Sequence, residues 1–164
     1  DSSVAFEIIE DMGMSLDFLR ERKLNELSAG QQKIVCTSLA LAMKAKHVLL
    51  DEPFEDLDPA KKGRMIKYLD GYDGVLLVST HETWLLKDLQ EWAVFFMFEG
   101  QLYGPISVKA LLKAEISLKD EPKALLRLRF SDKIVSIVEE GGVGTLLTSF
   151  ENLDRIYELA EGRA

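Results

Sequence analysis

The sequence predicts an α/β fold, with parallel strands flanked by helices and a small α+β appendage at the C-terminal end. Three observations carry this expectation. The apolar runs at 47–50 and 75–79 are too short for helices, and each ends in polar or acidic residues, as strands covered on both faces do. Stretches with helical apolar spacing stand before, between and after them, which is the alternation of an α/β protein. Beyond Pro122 the pattern changes to shorter elements separated by a glycine-rich turn. With 164 residues, 47% of them hydrophobic, the chain has material for one core of ordinary size and a small addition.

The elements follow in order. Ala5, Phe6, Ile8, Ile9 and Met12 form a helical stripe with Glu7, Glu10 and Asp11 opposite, predicting a helix over 5–13. A shorter helix is expected over 16–22. The next begins at Ser28 and runs to about Lys46; Ile34, Val35, Leu39, Leu41, Ala42 and Met43 give it an apolar surface broad enough for burial on more than one side. Strand 47–50 ends in Asp51-Glu52-Pro53. Asp58-Pro59 starts another helix, because Asp caps free amides and proline suits a first helical position that needs no donor, and Gly71 ends it. After strand 75–79, the Ser79 and Glu82 spacing is that of a capping box for a helix through Leu89. The runs 92–98 and 101–103 flank Glu99-Gly100, the signature of an antiparallel hairpin at a sheet edge. Ser107 caps a helix through Ala114, and 116–122 reads as a charged loop. The appendage is expected as strand 125–130, helix 131–140, a turn at Gly141-Gly142-Val143-Gly144, a short strand at 145–147, and helix 151–161 with Thr148 and Glu151 at capping-box spacing.

Composition removes several classes of function. Asp and Glu number 28 against 20 Lys and Arg, a net charge of −8, which argues against a protein that draws its affinity from nucleic-acid phosphates. A single cysteine, Cys36, allows no internal disulfide, and its apolar neighbours predict a small buried residue. The longest strongly apolar run, 92–98, falls far short of the roughly 20 residues that span a bilayer, so a soluble chain is expected, with any membrane contact made through a partner. Asp1-Ser2-Ser3 leads straight into helical spacing, without an initiator Met or a signal peptide, which reads as a start inside a larger protein.

Four short motifs then stand in a fixed order: Leu27-Ser28-Ala29-Gly30-Gln31, the strand ending in Asp51-Glu52-Pro53, Asp56-Leu57-Asp58, and Ser79-Thr80-His81-Glu82. In sequence and spacing they resemble the second half of an ABC-type ATPase: signature motif, Walker B strand with its following acid, D-loop and switch histidine. The resemblance covers residues 4–105. No Gly-x-x-x-x-Gly-Lys-Ser/Thr occurs, so the loop that cradles phosphates in that family is missing from this sequence. The implied fold is a partial P-loop NTPase-like core over 1–115, with the appendage over 116–164 resembling in pattern the small C-terminal additions of exporter-type members.

The resemblance implies roles for particular residues. Ser28, Ala29, Gly30 and Gln31 would face the γ-phosphate of nucleotide held by an opposite subunit, with Asp58 of the D-loop at the same interface; Ala29 stands where the family usually has glycine. Asp51 would hold Mg²⁺, Glu52 would be the general base for attacking water, and His81 would contact the γ-phosphate. Each feature also fits an ordinary reading: Ser28 as a helix cap, the acid pair as a loop start, Asp58 as a capped turn, His81 as a structural histidine. The glycines at 141–144 read as a turn, since no lysine follows them. The implied whole is the ATP-binding subunit of an ABC transporter, fragmentary here and inactive alone. It needs the missing Walker A half for ATP and Mg²⁺, a second ATPase subunit and transmembrane permease subunits, and it would lie in the cytoplasm against the membrane. Direct nucleic-acid binding is not expected. Two alternatives stay open: a chromosome-maintenance or DNA-repair ABC ATPase half, and a non-catalytic ABC-like interaction module.

Overall fold

The computed structural model describes residues 2–130, 133–141, 144–150 and 152–161. The chain divides into two compact units, residues 1–80 and 81–164.

In the first unit the order is α1 (Ser2–Asp11), α2 (Leu16–Arg20), a 3₁₀ turn (Leu24–Glu26), α3 (Ala29–Ala42), β1 (His47–Asp51), α4 (Pro59–Asp70) and β2 (Val75–Ser79). The expected stripe of α1 buries Ala5, Ile8 and Ile9 against α3, with Met12 closing the contact from just beyond the helix end. Asp58 caps α4 by accepting from the Lys61 amide at 2.9 Å, with Pro59 in the first turn and Gly71 at the C-cap. Met65, Ile66 and Leu69 form its buried side. Tyr68 on α4 donates to an Asp11 carboxylate oxygen at 3.2 Å; burial first, then the Asp11 charge, pushes its phenol pKa up.

β1 and β2 pair in parallel, with His47 opposite Val75, Leu49 opposite Leu77 and Asp51 opposite Ser79. Their burial corrects the expectation of strands covered on both faces. Val48 and Leu50 are buried, but Leu49 is 74% exposed, Leu77 58% and Val75 57%. One face of the pair packs on helices, while the other, wholly apolar at its centre, lies open. α3 also departs from expectation: it ends at Ala42, and Lys44 turns the chain with φ +51°. Its buried residues are Ile34, Thr37, Ser38, Leu41 and Ala42, while Leu39 and Met43 are exposed, so one side is covered rather than several. Cys36 is exposed on the helix, not buried.

The second unit holds a 3₁₀ turn (Thr83–Lys87), β3 (Ala93–Phe98), β4 (Gln101–Ser107), α5 (Val108–Leu111), β5 (Ala114–Ser117), β6 (Leu126–Phe130), β7 (Lys133–Glu139), β8 (Thr145–Leu146), a second 3₁₀ turn (Leu147–Ser149) and α6 (Asp154–Glu161). β3 and β4 form the expected hairpin: Glu99 at φ +48° and Gly100 at φ +73° are the two consecutive left-handed residues of a type I′ turn. The remaining strands make a sheet in the order β6-β7-β5-β8, antiparallel throughout. Phe98 packs on Phe130 with ring centroids 4.8 Å apart, and Leu111, Leu128, Ile137, Leu147 and Ile156 fill the same core.

Several expectations are corrected in this unit. The helix over 131–140 is the strand β7, flanked by β5 and β6. The charged loop expected over 116–122 starts two residues later, because Ile116 and Ser117 are the end of β5, which spans the expected 115/116 boundary. All four β5 residues are buried, and the Glu115 carboxylate accepts from the amides of Gly141 and Gly144 at 3.2 and 2.9 Å. Ser107 does cap α5, but that helix stops at Leu111. The helix after Ser79 is only the 3₁₀ turn, with Glu82 at its N-cap and no side-chain cap bond. The capping pair expected at Thr148 and Glu151 involves Glu151, which lies outside the described residues, as do Gly142 and Val143 of the glycine turn.

Candidate functional site

The N-terminus of α3 is a reciprocal cap. Ser28 Oγ accepts from the Gln31 amide at 3.3 Å, and Gln31 Oε1 accepts from the Ser28 amide at 2.9 Å. The cap occupies one first-turn amide; the rest of that turn and the helix dipole favour negative charge. Directly beside it passes the loop after β1. An ideal Cβ on Gly30 would lie 2.4 Å from the Asp56 carbonyl oxygen, so only glycine admits this approach. Asp56 itself sits at φ +60°.

Between these segments lies a depression of about 280 Å³ whose lining includes Ser28, Gly30, Gln31, Asp56, Asp58 and Lys61. Ala29 is exposed and not in the lining, so its methyl does not narrow the depression. The Lys61 ammonium bonds Asp58 Oδ2 at 2.6 Å, and this contact, with the Lys61 amide, holds the Asp58 carboxyl below its ordinary value.

The acid pair stands at the carboxyl end of β1. Asp51 is exposed on the open face of the strand pair, and its Oδ1 accepts the Ser79 hydroxyl at 2.5 Å. The Glu52 amide donates to the Ser79 carbonyl at 3.1 Å and to Ser79 Oγ at 3.2 Å. One side chain on the neighbouring strand therefore bonds both the Asp51 carboxylate and the Glu52 backbone amide. Glu52 adopts φ +45°, a left-handed conformation that costs a non-glycine residue of order 1–3 kcal/mol, and it breaks strand alternation directly after Asp51. Buried Pro53 and Phe54 anchor the loop behind it. From α3, Lys33 Nζ donates to the Asp51 carbonyl at 2.9 Å and lies 3.8 Å from Glu55 Oε2.

The structure thus gathers Ser28, Gly30, Gln31 and Asp58 around one depression and places Asp51 and Glu52 together at the strand end. Lys33 and the Gly30–Asp56 approach join the two places. His81 opens the second unit, where its carbonyl accepts from the Leu153 amide at 2.9 Å. Sequence reasoning gave no role to Lys33 and misread Ser79 as a helix cap. The one available signal for Ser79 was its position opposite Asp51 once the two strands pair in parallel.

No family model matches the chain. Among curated proteins, the thiamine import ATP-binding protein ThiQ of Ruegeria sp. is 36% identical over 118 residues, 70% of this chain and 48% of the relative. A protein of Methanosarcina mazei described as an ABC transporter ATP-binding protein is 31% identical over 141 residues, 84% of this chain and 41% of the relative. The solved structure of a protein described as a cobalt transport ATP-binding protein (cbiO-2) superposes with a TM-score of 0.88 at 39% identity, over 100% of this chain and 60% of that one. This chain belongs to the ABC-type ATPases. Its fold is accordingly that of a P-loop NTPase, α/β in class. As an ABC ATPase it spans less than half the length of the two curated relatives.

Proposed function

We propose that this chain is the part of an ATP-hydrolysing transport subunit that carries the signature motif, the Walker B acids, the D-loop and the switch histidine. In this reading two such subunits close on ATP and drive a membrane permease. The observation that carries it is the end of β1, where Asp51 and Glu52 stand side by side at the carboxyl end of a parallel strand, the Asp51 carboxylate and the Glu52 amide bonded to Ser79 and the Asp51 carbonyl bonded to Lys33, in the place where open α/β sheets bind their ligands.

Asp51 is the residue that would hold Mg²⁺. It offers a carboxylate on an open face, and the described residues contain no group of three or more acid, histidine or cysteine side chains placed to cage a metal. That donor set suits an ion that keeps several waters and is shared between one or two carboxylates and substrate phosphates. When bound, the ion supplies charge neutralisation across those phosphates. Glu52 accepts the proton of the attacking water, its backbone fixed by two bonds from its amide to Ser79. Ser28, Ala29, Gly30 and Gln31 present the α3 N-terminus and its dipole to nucleotide held by the other subunit, with Asp58 of the D-loop at the same interface. His81 is assigned the γ-phosphate contact.

The phosphate-cradling loop comes from a further segment, and the bare apolar face of Leu49, Val75 and Leu77 supports that assignment, because parallel strands are normally covered on both faces. None of the described helices is long and apolar enough to cross a membrane, so in this reading the permease supplies the membrane contact.

The test is Glu52→Gln in the intact protein. Hydrolysis should fall by about 10² to 10⁴, the usual worth of a general base, while ATP binding stays. Turnover close to the unsubstituted protein would remove Glu52 from the mechanism.

A further inference from the structure

The segment carrying the switch histidine is tied to the C-terminal end of the chain within the second unit. The Leu153 amide donates to the His81 carbonyl at 2.9 Å. Glu82 and Asn152 form an isolated antiparallel bridge, and Thr83 Oγ1 donates to the Phe150 carbonyl at 2.5 Å. Three consecutive residues on one side thus meet Phe150, Asn152 and Leu153 on the other. The C-terminal side is pinned at both ends, because Leu147 before it and Ile156 after it are fully buried in the core that β5, β6 and β7 build. On the histidine side, Thr83 and Leu85 are buried and Leu86 packs on the same core.

We propose that Phe150, Asn152 and Leu153 act as a strap that positions the His81 backbone, with Thr83 and Leu153 as its positioning residues, so that the C-terminal appendage controls ATP turnover through the switch histidine. The inference rests on the ATPase reading above and deepens it by giving the appendage a task. The His81 carbonyl and the Thr83 hydroxyl are bonded to main chain whose neighbours sit in a close-packed core, and such cores resist small displacements. A ligand or partner that shifts the appendage sheet therefore shifts the peptide bearing the imidazole, without touching nucleotide.

Thr83→Val in the intact protein removes the hydroxyl and keeps the side-chain shape. It should lower kcat for ATP hydrolysis about fivefold, the scale of one lost hydrogen bond, with KM for ATP unchanged, and it should speed hydrogen exchange at the Leu153 amide. Thr83→Ser should restore both. Ser136→Ala is the control: Ser136 is buried in the same sheet and donates to the Lys119 carbonyl at 2.7 Å, away from the strap, so it should lower Tm and leave kcat alone. An unchanged kcat in Thr83→Val, or an equal fall in Ser136→Ala, overturns the strap. A protein whose unsubstituted form shows no turnover above Glu52→Gln overturns the ATPase reading itself, a result distinct from either.

Discussion

Substituting Gly30 by alanine tests whether the signature helix and the loop after β1 are one packed unit. The added methyl carbon would lie 2.4 Å from the Asp56 carbonyl oxygen and 3.2 Å from its carbonyl carbon. Both obstacles are backbone, so no flexible side chain can swing aside, and either α3 or the loop must move by close to an ångström. Overpacking of this kind costs about 1–3 kcal/mol, while alanine in place of glycine near a helix start returns at most about 1 kcal/mol. The net expectation is a loss of about 1–2 kcal/mol, or a urea midpoint lower by about 0.5–1 M at a slope of about 2 kcal/mol/M. Gly63 in α4 is the matched control, since it is exposed and a Cβ there meets nothing within 4 Å. Gly63→Ala should therefore raise stability by about 0.5–1 kcal/mol. Circular dichroism of urea unfolding in the intact protein reads both. If the two substitutions shift the midpoint in the same upward direction, Gly30 does not bear on the Asp56 peptide and the described junction is wrong.

Ser79→Ala removes the grip on Asp51 Oδ1 and one of the two bonds to the Glu52 amide. The Mg²⁺ concentration needed for half-maximal ATPase should rise about tenfold or more, as when groups orienting a metal ligand are lost, and an unchanged Mg²⁺ titration would refute the role. Asp58→Ala should destabilise α4 at neutral pH by removing its cap. The Asp58 carboxyl is held below its ordinary value of 3.8 in the folded chain. Its contribution is therefore complete above that value and fades as pH falls through the lower folded value. The gap in urea midpoint between Asp58→Ala and the unsubstituted protein should narrow only below pH 3.8; a gap independent of pH down to 2 would show that Lys61 does not hold the carboxylate.

What was legible in the sequence was local. The caps at Ser28, Asp58 and Ser107 and the turn at Glu99-Gly100 depend on a few neighbouring residues, and the structure has them where the residue types put them. The parallel pairing of β1 and β2 followed from two short apolar runs separated by a helix. β7 was misread because Ile134, Val135, Ile137 and Val138 satisfy a helical stripe as well as a buried strand. What decides between them is β5 and β6 on either side, together with the preference of β-branched residues for strands. β5 was not legible as a strand because it straddles the end of an expected helix and the start of an expected loop, and its polar Glu115 and Ser117 are satisfied by hydrogen bonds made only after folding. The acid pair was legible from its place at a strand end, whereas Ser79 and Lys33 acquire meaning only through strand register and helix packing. Exposure was least legible of all: Cys36, Leu39 and Leu49 carry apolar character without cover.

Leu49 and Leu77 face each other across a parallel pair that, among the described residues, has no further strand on either edge, the combination that draws strands of other molecules together. Produced in isolation, the polypeptide should self-associate through this stripe and collect in inclusion bodies. Charged replacements at Leu49 and Leu77 should keep it in solution as single molecules, at the expense of assembly with its natural cover.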